Sequence, residues 1–304
     1  MNSTIFEKAR GFIYRNARPL DFALWRFHFE NGSVDEVYKV LKMYQKSDGG
    51  FGYDIEPDCY NVNSTPVATW QATNILNEVG IVAGSDIVRG ILNYLNSGKD
   101  FADGKWFNTV KTNNDYPHAV WWNCNNDVGD PNDNPTVSLA GFALKYADRS
   151  SALYDKAVKI VQSSVTNFIS SPTDEPHILR CYLDLLLYCE SIEGFDLFDI
   201  SEFRSVLYKS IDATVCRQTE KWFTEYVTKP SMFFEKSSRI MDIVGKDLCE
   251  AEGRLIVNNQ SADGSFAVTW LWYNDYTEYY VAANKWKSAM IRSNMLYLRA
   301  LNML

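Results

Sequence analysis

Three acidic side chains, Asp54, Glu56 and Asp58, follow the turn sequence DGGFG at residues 48–52. Closely spaced carboxyl groups can hold one proton between them or bind a cation. A carboxyl group that keeps its proton can serve as a general acid, and functional residues are concentrated on loops held by a rigid scaffold. We therefore predict that these three residues are catalytic. The alternative is that they satisfy helix starts and turn amides.

The segment DYPHAVWW, residues 115–122, is the second candidate. His118 is one of three histidines in the chain, and an imidazole can act as acid, base or metal ligand near neutral pH. We predict that His118 is catalytic and that Asp115, Trp121 and Trp122 bind substrate. A hydrogen-bonded histidine that braces a long loop is the alternative, and the sequence does not choose between the two.

Aromatic residues are concentrated near the C-terminus in TWLWYNDYTEYY, residues 269–280. Such rings can line an apolar cavity, stabilise a cation through their faces or stack on sugars. They can also cement the contact between the last helix pair and the first, which is the role we favour for the segment. Within and beyond it, we predict Glu278 and Trp286 as further substrate-binding residues.

No cofactor or metal site is predicted. The six cysteines are scattered and include no CxxC pair, which excludes zinc-ribbon and disulfide-scaffold patterns. Asp127, Asp130 and Asp133 lie in an Asn/Asp-rich segment, and carboxylate oxygens suit calcium. Their spacing is not that of an EF-hand, however, and the same residue types are typical of turns. We predict a solvated turn there.

Helical periodicity dominates the elements that must position these residues. Apolar residues recur at helical spacing in three long segments, residues 34–44, 154–168 and 291–301. Thr65–Pro66 and Asn134–Pro135 each place a capping residue before a proline, which predicts a helix start. Between the helices, residues 48–63 and 99–134 are long and polar. Loops of that length are often functional.

A weak internal repeat organises the chain. QKSDGGF at residues 45–51 returns as QSADGSF at 260–266, with ADGKWF at 102–107 and TEKWF at 219–223 as weaker copies. The Asp of the third sequence lies 55 residues after the first and 160 before the second. Such a period is typical of stacked supersecondary units that share one core. We predict about six helix pairs in a single domain, residues 1–304.

The QxxDGxF element resembles the QW-type repeat of the squalene cyclase and protein prenyltransferase superfamily, whose fold is an (α/α)6 toroid. Four segments are similar to a group of bacterial proteins of unknown function in that superfamily: YQKSDGGFGYDIEPD (44–58), NSTPVATWQATNIL (63–76), YPHAVWW (116–122) and NPT (134–136). The resemblance implies an all-α closed ring with an aromatic-lined central cavity. It also implies an isoprenoid-like substrate and a carboxylate that donates a proton.

The chain departs from the characterised members of that superfamily. It has no DxDD acid motif, no DDxxD-like magnesium cluster and no match to the zinc ligands of the prenyltransferases. Two further functions therefore stay open. Saccharide hydrolases and lyases also use (α/α)6 rings, and paired carboxylates with aromatic platforms suit glycoside chemistry. A non-catalytic domain that binds a ligand or a protein is the third.

The amino-acid composition limits the classes of partner that we expect the protein to bind. The 30 Lys and Arg against 38 Asp and Glu give a net charge of −8, which argues against a nucleic-acid partner. No apolar run is long enough to span a bilayer. Glu7, Lys8 and Arg10 interrupt the N-terminal segment, which argues against a signal peptide. We predict a cytoplasmic protein with reduced cysteines and a small-molecule substrate, either isoprenoid or saccharide.

Overall fold

The computed structural model describes residues 3–234 and 239–304, and these are mostly helical. Within them lie twelve α-helices: α1 (Ser3–Asn16), α2 (Pro19–Phe29), α3 (Val34–Leu41), α4 (Pro66–Val79), α5 (Asp86–Asn96), α6 (Asp133–Tyr146), α7 (Ala152–Ser170), α8 (Pro176–Glu190), α9 (Ile200–Thr214), α10 (Ile240–Val244), α11 (Lys246–Asn258) and α12 (Tyr279–Ala300). The predominantly helical class predicted from the periodicity is confirmed.

A small antiparallel sheet interrupts the helices, with strands β1 (Phe101–Ala102), β2 (Lys105–Val110) and β3 (Gly129–Pro131) in that order. Asp103 and Gly104 join β1 to β2 with φ of 51° and 77°, the positive values that a tight hairpin turn needs. The sequence predicted a polar loop over residues 99–134. The difference arises because Asp-Gly closes a hairpin here and the strand buries Trp106 and Phe107.

The chain divides into two compact units. The first unit contains Met1–Leu41 and Thr214–Leu304, so it is built from both ends of the chain. In it, α12 packs against α1, α2 and α11, and α2 packs against α3. The prediction of a single domain over residues 1–304 stays a prediction.

The second unit contains Lys42–Ala213 and has α6 at its centre. Helix α6 packs against α4, α5, α7, α8 and strand β2. Every residue from Pro135 to Leu144 is buried, as expected for a helix covered on all sides. Helices α4 and α8 each begin at a proline, Pro66 and Pro176, which suits the first helical position because that amide has no intrahelical acceptor.

The two strong copies of the repeat form the same turn, one in each unit. In the second unit, the Gln45 amide nitrogen donates to the carbonyl oxygens of Gly49 (2.8 Å) and Ile87 (3.0 Å). In the first unit, the Gln260 amide nitrogen donates to the carbonyl oxygens of Gly264 (3.1 Å) and Ile5 (2.9 Å). Each glutamine thus fastens its turn to the first turns of a nearby helix.

The conformation of these turns explains why glycine follows aspartate in both strong copies of the repeat. Gly49 and Gly264 have φ of 89° and 94°, a conformation that side chains rarely adopt. A Cβ atom would lie 2.0 Å from the carbonyl oxygen of Gly90 at the first position and of Lys8 at the second. The weaker copies differ: 102–107 forms the hairpin, and 219–223 begins with a short 3-10 helix.

One of the two predicted helix caps is confirmed. The Thr65 side chain accepts from the backbone N–H of Ala68, and α4 begins at Pro66. At the other start, the cap is Asn132, whose side chain accepts from the N–H of Asn134. Asn134, the second residue of α6, has non-helical angles, φ −90° and ψ 113°. Regular helical geometry therefore begins after Asn134.

The sequence argues against paired cysteines and against a membrane-spanning segment. All six cysteines are free thiols, and five of them are buried. Among the described residues, no helix is both long enough and apolar enough to cross a bilayer. The thiols therefore behave as small core residues.

Candidate functional site

A polar cleft in the second unit contains several of the predicted site residues. The space that it covers, about 290 Å³, includes open solvent. Its walls are formed by Gly52, Asp54, Ile55, Glu56, Cys59, Asn61, Thr65, Val67, Ala68, Asn108, Asn113 and Trp122. This space is called the cleft below, and its enclosed part has room for a group of about the size of a water molecule.

The backbone conformation of the acidic segment places Asp54 in the cleft wall. Tyr53 and Asp54 both have left-handed backbone angles, with φ of 55° and 54°. The Tyr53 N–H donates to the Asn61 carbonyl oxygen at 3.0 Å, which closes the loop between them. Non-glycine residues with positive φ are uncommon, and two in succession mark a backbone that its surroundings hold in place.

Glu56 is buried in the cleft, with 6% of its surface exposed. The Gln71 side-chain amide, on α4, donates to Oε2 at 2.9 Å. The Asp58 backbone N–H lies 3.3 Å from Oε1 and donates to it. Helix and loop therefore fix the carboxyl group in one orientation.

Asp58 and Cys59 follow Glu56 in the same acidic segment of the chain. Asp58 is 3% exposed, and its carbonyl oxygen accepts from the Ala119 N–H at 2.9 Å. Burial, together with the nearby charges of Glu56 and Asp58, raises the pKa of the Cys59 thiol to about 12. Because only a thiolate is a good nucleophile, Cys59 is inert at neutral pH. The chemistry of this wall is that of its carboxyl groups.

A chain of amides also belongs to the cleft wall. The Asn61 side-chain nitrogen donates to Thr112 Oγ1 and to Asn113 Oδ1, both at 2.9 Å. Asn113 in turn donates to the carbonyl oxygen of Trp122 at 3.1 Å. Since Asn61 and Asn113 are both almost fully buried, this network fixes Trp122 in the cleft wall.

His118 lies beside the acidic segment, where Cys59 and His118 form an antiparallel bridge. Its Nδ1 is 2.6 Å from the carbonyl oxygen of Tyr116, and its Nε2 is 2.6 Å from Asn123 Oδ1. Both ring nitrogens thus contact oxygens of its own segment, and the ring is buried. This geometry matches the brace that the sequence left as an alternative, while a catalytic role for His118 stays a prediction.

The remaining predicted residues are spread more widely. Trp121 is an exposed neighbour of Trp122, and Asp115 is exposed at the end of the 3-10 helix Lys111–Asp115. Glu278 and Trp286 belong to the first unit, at the start of α12 and within it. The cleft therefore contains Asp54, Glu56 and Trp122 of the predicted set, with Asp58 and His118 adjoining them along the backbone.

The aromatic segment near the C-terminus divides between core and surface. Trp272 is buried, and Trp270 packs edge-on against Trp286 with ring centroids 5.5 Å apart. Tyr273 and Tyr280 are exposed. The segment therefore cements the helices only in part, which differs from the role we favoured for all of it.

Sequence reasoning missed the amide side chains of the cleft. Asn61, Asn108 and Asn113 line it, and Gln71 holds Glu56 from the first turns of α4. Asparagine is common in loops, so its type alone gave no signal. Its density in the sequences NVNS at 61–64 and NTVKTNN at 108–114 was the available hint.

No group of three or more His, Cys, Asp or Glu residues within the described chain is arranged to hold a metal ion. In the Asn/Asp-rich segment, Asp127 pairs with Lys111 at 3.1 Å and Asp133 pairs with Lys105 at 2.8 Å. Comparison of the chain with models of known protein families, with curated proteins and with solved structures finds no match. The cleft is therefore the site from which a function is inferred.

Proposed function

We propose that this protein is a small-molecule enzyme that acts in the cleft on a hydroxyl-rich compound of the saccharide class, with Glu56 as the acid. The observation that carries the proposal is the polarity of the cleft wall around a buried, oriented carboxyl group. Carboxylates and amides supply the paired donors and acceptors that sugar hydroxyls need. The exposed ring of Trp121 adjoins the lining residue Trp122 and offers a platform for a sugar.

The corresponding chemistry is hydrolysis of a glycosidic bond. Glu56 would donate its proton to the departing oxygen as the bond to carbon breaks, and water would supply the new hydroxyl group. Asp54, which shares the cleft with Glu56, is the second carboxylate that such a reaction requires. Its role would be to stabilise the positive charge that develops on the sugar ring or to activate the water.

The isoprenoid substrate and the closed (α/α)6 ring are the corresponding proposals from the family resemblance. Support for the ring comes from the repeat, because the same glutamine-fastened turn joins helices in each unit. An isoprenoid would be favoured by a dry, aromatic cavity. The cleft wall instead contains one aromatic ring, that of Trp122, among six polar side chains. We therefore place the saccharide ahead of the isoprenoid.

A thermal-shift panel tests the proposed ligand class. Monosaccharides and oligosaccharides, both neutral and acidic, would be compared with isoprenoid alcohols and diphosphates. A ligand at 100 times its dissociation constant stabilises by about 2.7 kcal/mol, which raises the melting temperature of a domain of about this size by roughly 2–4 °C. We expect that shift with saccharides, and a smaller one for Glu56→Gln.

The matched control is Glu252→Gln, which alters a fully buried glutamate of the first unit and should keep the wild-type shift. A shift confined to isoprenoids would replace the saccharide proposal with the family-based one. If no compound in the panel raises the melting temperature, both the saccharide and the isoprenoid proposals are contradicted. A domain that binds another protein is then favoured.

A further inference from the structure

A short segment of the first unit, residues 271–281, exposes an unusual number of large apolar side chains. Single exposed residues of this kind are ordinary on a protein surface, whereas a local concentration of them marks an interaction site. The segment also carries two acidic residues. The tyrosine patch is the name used below for these seven residues: Leu271, Tyr273, Asp275, Tyr276, Glu278, Tyr280 and Val281.

The tyrosine patch is held in place by aromatic contacts beneath it. The ring of buried Trp272 has its centroid 6.5 Å from that of Tyr276 and 6.3 Å from that of Tyr279. The Tyr279 hydroxyl donates to the carbonyl oxygen of Trp270 at 2.9 Å, which ties the chain before α12 to the first turn of that helix. Tyr280 packs edge-on against Tyr279, with centroids 5.5 Å apart. The exposed rings therefore belong to a folded surface, and a partner that binds them has little chain to order.

Two rings of the patch have faces that the chain itself leaves open. Tyr273 and Tyr280 are 70% and 76% exposed, the highest fractions among the aromatic side chains that the structure describes. Other exposed tyrosines are covered by a cation: Arg10 lies 5.2 Å from the centre of the Tyr14 ring, and a lysine lies 3.8 Å from that of Tyr53. No described cation covers Tyr273 or Tyr280. Because aromatic faces attract cations, these two rings can take one from another molecule.

The charge of the patch is negative and is not compensated locally. Asp275 is exposed and Glu278 is half-buried, and neither carboxylate forms an ion pair or a hydrogen bond with the residues that the structure describes. Residues 255–284 include no Lys, Arg or His. Both acids precede α12, whose dipole favours negative charge at that end. Open ring faces and free carboxylates both attract a cation, and the carboxylates repel an anionic membrane or nucleic acid.

We propose that the tyrosine patch binds a cationic segment of a partner protein, with arginine side chains stacked on Tyr273 and Tyr280 and paired with the two carboxylates. Arginine fits better than lysine, because its planar guanidinium stacks on aromatic faces and binds carboxylates through two N–H groups. The aliphatic residues of the patch provide contact for the apolar stems of these side chains. This interaction is separate from the chemistry proposed for the cleft.

The test measures binding of a defined arginine peptide to the full chain. The probe is a fluorescein-labelled octapeptide of alternating glycine and arginine, followed by fluorescence anisotropy at low ionic strength, and its uncharged counterpart has glutamine in place of arginine. We expect the wild type to bind the arginine peptide and not the glutamine peptide. The double variant Tyr273→Ser/Tyr280→Ser should bind it about 5-fold more weakly. Asp275→Asn should weaken binding by about 3-fold.

Two variants of the same unit serve as matched controls. Tyr14→Ser removes an exposed tyrosine whose ring already has Arg10 beside it. Asp247→Asn removes an exposed acid at the start of α11, and so changes the net charge of −8 by the same amount as Asp275→Asn. Both controls should bind the arginine peptide as the wild type does. Urea unfolding of all four variants shows that each is folded.

Three results would overturn the inference. The first is that the wild type does not bind the arginine peptide, or binds the glutamine peptide equally well. The second is that the double variant binds like the wild type, or that Asp275→Asn and Asp247→Asn weaken binding equally, since overall charge would then be the cause. The third is that the wild type binds phosphatidylcholine vesicles in place of the peptide and that the double variant does not, which would assign the patch to a membrane surface.

Discussion

Two buried glutamates show how the surroundings of a residue separate a candidate acid from a structural one. Glu56 borders the cleft. Glu252, on α11, is fully buried, and both of its carboxyl oxygens accept from Ser231, from the hydroxyl at 2.5 Å and from the N–H at 2.8 Å. Ser231 is the second residue of the 3-10 helix Pro230–Phe233, so Glu252 acts as a cap for that element.

Glu252 should make the stability of the protein depend on pH. Burial raises its pKa, and the hydrogen bonds from Ser231 and the charge of Lys229 reverse this only in part. The folded state therefore holds the proton more tightly than the unfolded state. The contribution to stability is complete below the ordinary glutamate pKa of 4.5 and is lost as the pH rises through the raised value.

We expect Glu252→Gln to remove this dependence, because an amide does not titrate. In urea unfolding between pH 4.5 and 8, the unfolding free energy of the wild type should fall relative to that of the variant as the pH rises. Glu220→Gln, at an exposed position of the same unit, should instead follow the wild type at every pH. Parallel curves for wild type and Glu252→Gln would contradict the assignment.

At the scale of the element, the glutamine-fastened turn is the recurring device. Gln45 and Gln260 each satisfy two carbonyl oxygens, one in the turn and one in a neighbouring helix. Gln45→Ala and Gln260→Ala each leave those carbonyls without that donor, and we expect each to lower the unfolding free energy by about 1–3 kcal/mol. Chemical denaturation of the two variants measures this directly.

The weakest copy of the repeat provides the control. Gln218 precedes TEKWF but is exposed, and its side chain makes no hydrogen bond to the described residues. Gln218→Ala should therefore change stability by less than about 0.5 kcal/mol. An equal loss in all three variants would show that the cost comes from the local backbone and not from the fastening amide.

Local sequence was sufficient to predict the elements whose cause is local. Thr65 before Pro66 predicted the start of α4, because a cap depends on a few adjacent residues. For the same reason, the similar sequences at Gln45 and Gln260 form the same turn. The pairing of β2 with β3 was missed because it spans about twenty residues of chain and leaves no local signature. The hairpin of β1 and β2 does have a local signal, Asp103–Gly104, which the prediction of a polar loop overlooked.

At the scale of the whole molecule, the first unit joins the two ends of the chain. Asp21, on α2 and 1% exposed, pairs with Arg18 at 2.7 Å and with Arg292, on α12, at 3.7 Å. The Arg299 guanidinium also donates to the His28 carbonyl oxygen at 2.9 Å. A buried carboxylate with two cationic partners fixes how the last helix packs on the second.

The candidate site could be predicted only in part for a related reason. Asp54 and Glu56 could be proposed from the sequence because they lie close together directly after the DGGFG turn. Asn108 and Gln71 meet them only after β2 and α4 have packed, so no spacing in the sequence connects them. Residue type predicted the carboxyl groups of the cleft, and tertiary structure supplied the amides around them.

Turnover of glycosides is the measurement that tests the central claim most directly. Purified wild-type protein would be incubated with methyl glycosides of monosaccharides and oligosaccharides, whose leaving alkoxide needs a proton from an acid, and release of free reducing sugar would be followed. We predict release by the wild type and by Glu252→Gln, with a loss of at least about 100-fold in Glu56→Gln, as expected when a general acid is removed. Equal rates in wild type and Glu56→Gln, or no release above buffer from any glycoside, would contradict the proposal that Glu56 is the acid of a saccharide-cleaving enzyme.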